Sequence, residues 1–148
     1  MYHFFTDQGG EQQRSITSGV TLAEMLFRCN YVAYVASDQP KRLSIWDDVK
    51  RKSVIELDFE SEIKAVRLRR DRIVVVLDKV VQVYTFTSTP SHLHSYTTCS
   101  NPRGLCSLSP SSSNSLLVFP ALETGRVQLV DLANTEKRPT SVQAHEAR

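Results

Sequence analysis

His92 and His94, two histidines separated by a single residue, form one pair of side chains in this chain that could do chemistry. Side chains two apart on a strand point to the same face, so the two imidazole rings could share a metal ion. A zinc site needs at least three protein ligands, and the one nearby candidate, Cys99, is not at a metal-site spacing. Ser91 and Ser95 indicate an exposed loop. The sequence therefore favours no metal site and leaves a small β-domain metal protein as the weaker alternative.

Carboxylates also cluster, first at Asp47 and Asp48 and then at Glu56 and Asp58. Paired carboxylates can serve as general acid and general base. Glu56 and Asp58, however, alternate with apolar residues along 55–59, which is the pattern of a strand with one face in solvent. We interpret these carboxylates as a solvated strand face.

Nucleophile motifs are missing as well. The serine-rich stretch Ser107–Ser115 lacks the Gly-x-Ser-x-Gly elbow of a hydrolase, and the five glycines form no phosphate-binding loop. The three cysteines include no Cys-x-x-Cys pair, and Cys29 and Cys106 lie in apolar runs typical of buried thiols. We predict no catalytic residue, no cofactor and no enzymatic activity.

The chain has the length and composition of a single soluble domain. It has 148 residues, of which 41% are hydrophobic and 23% charged, with a net charge of +2. So small a net charge does not indicate a nucleic-acid partner. No apolar run has the roughly 20 residues of a transmembrane helix, and the first residues do not read as a secretory signal.

Short strand-like runs follow one another from Leu22 onward in groups of four. The runs are Leu22–Cys29, Tyr31–Ala36, Arg42–Asp47 and Ser53–Phe59; then Ile63–Arg69, Arg72–Leu77, Val80–Phe86 and Leu93–Cys99; then Gly104–Leu108, Ser115–Phe119, Arg126–Leu132 and Thr140–Ala144. The groups begin at 22, 63 and 104, a period of 41 residues. Four strands every ~40–45 residues are the signature of propeller blades.

The predicted fold is therefore all-β: a partial WD-repeat β-propeller of about three four-stranded antiparallel blades. The third run of the first group ends in the Trp46-Asp47 dipeptide that names WD repeats. We expect an irregular or flexible segment over residues 1–20. Residues 21–148 are expected to form blades at about 22–62, 63–103 and 104–148. The continuous apolar run 73–77 should be the most buried strand, because such a run is covered on both faces.

Several longer motifs, in order along the chain, resemble the PROPPIN family, the WIPI-type WD-repeat phosphoinositide-interacting proteins of autophagy. The motifs are EMLFRCNY at 24–31, IWDD at 45–48, LRRDRIVVVL at 68–77, NPRGLC at 101–106, VQLVDLA at 127–133 and AHE at 144–146. The resemblance runs from about Thr21 to Glu146.

The resemblance implies a non-enzymatic autophagy scaffold. PROPPINs are seven-bladed propellers that bind phosphatidylinositol 3-phosphate and recruit lipid-transfer and autophagy factors. Their lipid site uses a Phe/Leu-Arg-Arg-Gly motif in later blades, so we expect no lipid-binding residue in this chain. Leu68-Arg69-Arg70-Asp71 is similar to the motif but has Asp in place of Gly, which sets a negative charge beside the arginines. Phosphoinositide membranes are thus expected as partners of a full-length form only.

A candidate partner groove follows from the same stretch. In the resembled family, the groove between the second and third blades receives peptides of autophagy proteins, including the bridge-like lipid-transfer protein. Here that groove would lie around 57–63 and 67–72, with 80–86 nearby. Arginines suit interfaces, and apolar residues alternate with them as possible anchors. The candidate residues are Arg67, Arg69, Arg70, Arg72, Val66 and Leu68.

The alternative to this role is a generic WD-repeat protein-interaction fragment. The alternative reading of the arginines is that they keep a turn soluble. For the full-length family, the resemblance implies a cytoplasmic protein peripheral to preautophagosomal or endolysosomal membranes.

Overall fold

The computed structural model describes residues 3–5, 14–15, 19–26, 30–109, 116–123, 125–132 and 140–143, with backbone only for 3–5, 14–15 and 140–143. All of its regular elements are strands. They are β1 (His3–Phe5), β2 (Arg14–Ser15), β3 (Val20–Met25), β4 (Tyr31–Ala36), β5 (Arg42–Asp47), β6 (Lys52–Asp58), β7 (Ala65–Arg69), β8 (Arg72–Val76), β9 (Val80–Thr85), β10 (His92–Thr97), β11 (Ser107–Leu108), β12 (Leu116–Pro120), β13 (Arg126–Asp131) and β14 (Thr140–Gln143).

Twelve of these strands form three four-stranded antiparallel sheets in simple chain order. The first sheet is β3 to β6, the second β7 to β10 and the third β11 to β14. The first strands lie side by side, with β3 and β11 both in contact with β7. We call β3, β7 and β11 the inner strands. The all-β prediction is confirmed, and within the described ranges there is no helix that could cross a membrane.

The second sheet is covered on both faces, and its β8 strand shows why. Ile73 and Val75 pack with the first sheet, whereas Val74 and Val76 pack with the third. All four side chains have no exposed surface, and Leu77 is 6% exposed. Because alternate side chains of a strand point to opposite faces, this apolar run needs a partner layer on each side. The prediction that 73–77 is the most buried strand is confirmed.

Strand bounds differ from the prediction mainly in the inner strands. β3 begins at Val20, two residues early, because the backbone of Gly19 accepts a hydrogen bond from the Ser37 amide and prolongs the pairing with β4. β11 has only two residues, because the Asn101 side chain bonds both backbone groups of Leu105 and closes a turn there. The predicted ends of the first run at 27–29 and of the last at Ala144 lie outside the described residues.

Residues 1–20 contain short paired strands where the sequence predicts an irregular segment. β1 and β2 pair antiparallel across a segment that includes Gly9 and Gly10. The sequence could not show these two strands, because runs of two and three residues carry no detectable alternation. The proposed blade limits at about 22–62, 63–103 and 104–148 remain a prediction, and the three sheets fall near them.

Candidate partner-binding groove

The crevice between the first and second sheets opens into a pocket at each end. The first, which we call the Arg70 pocket, has a volume of about 520 Å³ and is lined by Leu26, Tyr31, Asp47, Lys50, Val54, Ile55, Arg70, Phe86, Thr87 and Ser88. The second, the Asp58 pocket, has about 580 Å³ and is lined by Asp58, Phe59, Glu60, Ser61, Leu77, Asp78, Lys79, Val80, Gln82 and Tyr84. The crevice predicted as the groove thus has two openings whose lining residues carry opposite net charge.

The base of the Arg70 pocket is apolar and aromatic. The rings of Tyr31 and Phe86 lie 5.1 Å apart and are tilted by 59°. Leu26 and Ile55 are buried members of the first hydrophobic cluster, against which both rings pack. The Phe86 amide donates to the Asp71 carbonyl at 3.2 Å, which fixes the ring beside the β7–β8 turn. An apolar side chain from another molecule would therefore find an ordered floor here.

Cations form the rim of the Arg70 pocket. Arg70 is exposed at the β7–β8 turn, and Lys50 is exposed at the β5–β6 turn. Asp47, which is 3% exposed, holds the second turn: its carboxylate accepts from the Val49 amide at 2.9 Å, the Lys50 amide at 3.3 Å and the Asn30 side chain. Because Asp47 is buried and its carboxylate makes these hydrogen bonds, it is not part of the accessible rim. The exposed charges of the rim are therefore positive.

Only one of the six predicted groove residues, Arg70, lines this pocket. Val66 and Leu68 are 4% and 8% exposed and belong to the core, so their prediction as anchors is corrected. Arg69 is 2% exposed, and its guanidinium donates to Asp71 at 2.6 and 3.3 Å. β7 is an inner strand with neighbours on both sides, and alternation alone could not show that.

Arg67 and Arg72 lie on either side of Arg70 but point elsewhere. Arg67 donates from Nε to the Cys106 carbonyl at 3.1 Å and faces the inner strands. Arg72 donates to the Asp71 carbonyl at 2.8 Å, and its Nε is buried with no hydrogen-bond partner among the described residues. Arg72 thus keeps an unsatisfied donor near the Arg70 turn.

The Asp58 pocket carries three carboxylates, of Asp58, Glu60 and Asp78, and one cation, Lys79. Arg42 donates to Asp58 at 2.7 Å, and this hydrogen bond holds the pKa of that carboxyl below its usual value. Phe59 and Tyr84 meet edge to face, with centroids 5.9 Å apart, at its floor. Most of the predicted stretches 57–63 and 80–86 lies here, whereas Phe86 and the stretch 67–72 lie at the opposite end.

Sequence reasoning missed Tyr31 and Lys50 as lining residues of the Arg70 pocket, and it included Phe86 only as the end of the stretch 80–86. A signal was present: these residues and Arg70 all flank turns at the same end of their strands. The 41-residue repeat places the ends of corresponding strands together, so turn residues of neighbouring repeats could have been grouped.

The other reactive candidates have structural roles. His92 lies 2.7 Å from the Gln82 side-chain oxygen and packs edge-on against Tyr84, whereas His94 stacks on Tyr96. A bulge between the two histidines breaks the alternation that would have put both rings on one face. Among the residues with described side chains, no three potential metal ligands come together. Ser107–Ser115 lies mostly outside the described residues.

Burial determines the reactivity of the Cys106 thiol. Loss of solvent raises the pKa of the Cys106 thiol to about 12, against a smaller opposing influence of Arg67. A thiol with so high a pKa carries almost no thiolate at neutral pH and is a poor nucleophile. The structure thus gives Cys106 a packing role.

Comparison with known proteins decides the family. The PROPPIN family model matches residues 8–148. The chain belongs to the PROPPIN family. It is 41% identical over 142 residues to SVP1-like protein 2 of Pichia angusta and 37% identical over 121 residues to autophagy-related protein 18e of Arabidopsis thaliana. Those matches cover 90% and 78% of this chain but 39% and 32% of the relatives.

Solved structures show that the three sheets are blades of a partial propeller. Hsv2 of Kluyveromyces lactis superposes with a TM-score of 0.71 at 25% identity, over 90% of this chain and 39% of that one. A complex of KlAtg21 with the coiled-coil of AgAtg16 contains the same fold, with a TM-score of 0.66 at 24% identity, over 81% of this chain and 41% of that chain. This PROPPIN chain spans about a third to two fifths of the length of these proteins.

Proposed function

We propose that this chain belongs to a non-enzymatic autophagy scaffold and that its Arg70 pocket binds a peptide or coiled-coil segment of another autophagy protein. The observation that carries the proposal is the combination of a concave aromatic floor with a cationic rim. Tyr31 and Phe86 offer apolar contact, and Arg70 and Lys50 offer charge. Interfaces favour this combination because aromatic anchors supply buried area and arginine forms paired hydrogen bonds with carboxylates.

The chemistry of the rim specifies an acidic partner. Arg70 and Lys50 are both exposed at the rim of the pocket. A carboxylate seated at this turn would pair with Arg70 and offset the positive rim. The partner segment should therefore carry an apolar side chain next to Asp or Glu.

One neighbour in fold supports an autophagy partner of this kind. KlAtg21, a neighbour in fold, was solved with the coiled-coil of AgAtg16. The bridge-like lipid-transfer protein is a second candidate, which the family resemblance suggests. A generic WD-repeat interaction module is the competing function, and it predicts no preference for autophagy proteins.

Charge reversal tests the pocket. Calorimetry should compare the whole chain with the Arg70→Glu/Arg72→Glu variant, using an acidic coiled-coil peptide of an Atg16-type partner. We expect a loss of about 2 kcal/mol or more, because the pairs would be desolvated, whereas rim charges would contribute under about 1. Lys41→Glu, at an exposed lysine outside the Arg70 pocket, is the matched control. Equal affinity of the folded double variant and the wild type would show that the pocket is misassigned.

The membrane role is proposed for the full-length protein only. Within Leu68–Asp71, Arg69 is buried against Asp71, so the stretch presents one exposed guanidinium rather than two. A single exposed cation gives about 1 kcal/mol of salt-sensitive attraction to an anionic surface. We expect no selective flotation of this chain with vesicles containing phosphatidylinositol 3-phosphate at physiological salt. Selective flotation that Arg70→Ala abolishes would contradict this.

A further inference from the structure

A third cavity lies away from the partner groove, between the inner strands β3 and β7 and the turn at 101–104. We call it the inner-strand pocket. Its volume is about 180 Å³, and it is lined by Leu22, Ala23, Glu24, Ala33, Lys64, Ala65, Val66, Arg67, Arg103 and Gly104. Its charged groups are three cations and one carboxylate. Neither the autophagy role nor the Arg70 pocket accounts for this excess of positive charge.

The backbone brings these cations together. Gly104 has φ +64°, and a Cβ added there would lie 2.6 Å from the Lys64 carbonyl oxygen. Only glycine permits so close an approach, which sets Arg103 beside β7. Arg67 is fixed by its bonds to the carbonyls of Cys106 at 3.1 Å and Val66 at 3.0 Å. The pocket is thus built by ordered backbone rather than by chance proximity of mobile side chains.

The cations are incompletely neutralised within the described structure. The closest oxygen of Glu24 lies 3.8 Å from Arg67, beyond normal hydrogen-bond length. Lys64 lies 3.3 Å from Glu62, whose side chain is 59% exposed, and such surface pairs contribute little and exchange readily. Arg103 is exposed. We propose that the inner-strand pocket binds a small anion carrying a phosphate or sulfate group, held by Lys64, Arg67 and Arg103.

Size and chemistry agree with such a ligand. About six water molecules occupy this volume in liquid water, at about 30 Å³ each. The cavity therefore has room for one tetrahedral oxyanion and a few waters. Guanidinium groups pair two donors with two oxyanion oxygens, and the lysine ammonium adds a point charge. Charges that are partly buried are also less screened by salt than charges on an open surface.

Glu24 makes the site sensitive to pH. Burial raises the pKa of the Glu24 carboxyl, and Arg67 opposes this only in part. The other charged groups that line the pocket are Lys64, Arg67 and Arg103. Ionised Glu24 repels an oxyanion and protonated Glu24 does not. Anion binding should therefore tighten as the pH falls toward the pKa of Glu24.

The test uses calorimetry of the whole chain with sodium sulfate, at constant ionic strength set by sodium chloride. Sulfate keeps its charge throughout the pH range used, so any pH dependence belongs to the protein. Lys64→Gln and Arg103→Gln should each weaken sulfate binding about fivefold or more, since each removes one partly screened charge. Lys41→Gln, an exposed lysine outside the pocket, is the matched control and should change nothing.

Glu24→Gln gives the opposite sign and guards against misfolding. It should tighten sulfate binding severalfold at neutral pH and flatten the pH dependence, which no damaged fold would do. No saturable binding by the wild type, or equal affinities in Lys64→Gln, Arg103→Gln and Lys41→Gln, would overturn the site.

Two further arms separate the possible sources of the anion. Soluble inositol 1,3-bisphosphate is compared with phosphatidylcholine vesicles that do or do not contain phosphatidylinositol 3-phosphate. Binding of the soluble compound alone identifies a free anion. Vesicle binding that sulfate competes away and that Arg103→Gln weakens identifies a lipid headgroup. Vesicle binding insensitive to both, without sulfate binding, overturns the proposal.

Discussion

The two faces of the second sheet are alike in sequence and different in closure. Toward the first sheet, Ile73 and Val75 pack into a crevice that opens at both ends into pockets larger than 500 Å³. Toward the third sheet, Val74 and Val76 pack beside the connection between β10 and β11, which hydrogen bonds hold in place. There the Asp78 side chain accepts from the Asn101 amide at 2.8 Å and the Ser100 hydroxyl at 3.0 Å.

The difference teaches where a propeller blade has room for a partner. Apolar alternation fills the middle of both interfaces equally. The ends of the two interfaces differ because their turns and connections differ. Asn101 and Gly104 hold one connection close to its neighbour, whereas aromatic and charged turn residues leave the other crevice open. The crevice toward the first sheet is therefore the one with room for the partner segment that we propose.

The largest effect should come from the shared core. Ile73→Ala should lower the free energy of unfolding by about 3 kcal/mol, through lost burial and an unfilled cavity. Val74→Ala on the opposite face should cost about 2 kcal/mol, because fewer methyl groups are lost. Urea titration measures both. A cost under about 1 kcal/mol for either would mean that its face is not packed.

Glycine substitution sharpens the contrast at the closed face. Gly104→Ala should cost about 2 kcal/mol, because φ is +64° and the new Cβ would collide with the Lys64 backbone. Gly19→Ala is the control, since its Cβ would meet the Ser37 hydroxyl at 3.3 Å without a positive φ. Similar midpoints in thermal unfolding for the two variants would show that the approach of the 101–104 turn is unimportant.

Adjacent arginines give the next effect. Arg69→Ala should destabilise the chain by about 1.5 kcal/mol, because it removes a buried guanidinium bonded to Asp71. Arg70→Ala should stay within about 0.5 kcal/mol, because the side chain is exposed. Chemical denaturation separates them, and a reversed order would mean that the burial assignments at this turn are exchanged.

The smallest effect is on the pH dependence of stability. Burial raises the pKa of Glu24, so the folded chain binds its proton more readily than the unfolded chain does. Glu24 therefore costs stability above its folded pKa and relieves that cost as the pH falls toward 4.5. Denaturation of Glu24→Gln between pH 4 and 7 should lack this contribution. An unchanged pH profile would place Glu24 in solvent.

Asp71 should behave in the opposite way. Its burial alone would raise the pKa, but the hydrogen bond from Arg69 and the charges of Arg69 and Arg72 outweigh that and lower it. Its contribution is present above the unfolded value near 3.8 and is lost as the pH falls through the lower folded pKa. Asp71→Asn should flatten the acid limb below pH 4, and an unaltered limb would contradict the pairing.

Most of the fold could be predicted because it rests on local patterns. Runs of β-branched and aromatic residues at a period of 41 placed β4, β5, β8 and β9 within one residue of their observed bounds. Inner strands were less predictable, because their ends depend on neighbours: Gly19 extends β3 and Asn101 shortens β11.

The candidate site was predicted far less well. The sequence predicted that the arginine-rich turn lies between the first two repeats, but it could not separate Arg69 from Arg70. One is buried because Asp71 folds back to it, and the other is exposed. Likewise, Val66 and Leu68 looked like anchors until β7 proved to be covered on both sides. Such distinctions depend on tertiary contacts that a strand pattern does not encode.

The valine strand β8 has a consequence for motion. Its amides pair with β7 and β9, and both of its faces are sealed, so solvent reaches them only when one of the flanking sheets separates. Hydrogen exchange at Val74 and Val75 should therefore proceed through the rarest openings of the chain. Exchange along the outer strand β10, half of whose residues are exposed, should proceed through frequent local fraying. The strand β8 would then be the slow-exchanging centre of the second sheet, beside the crevice that is open at both ends.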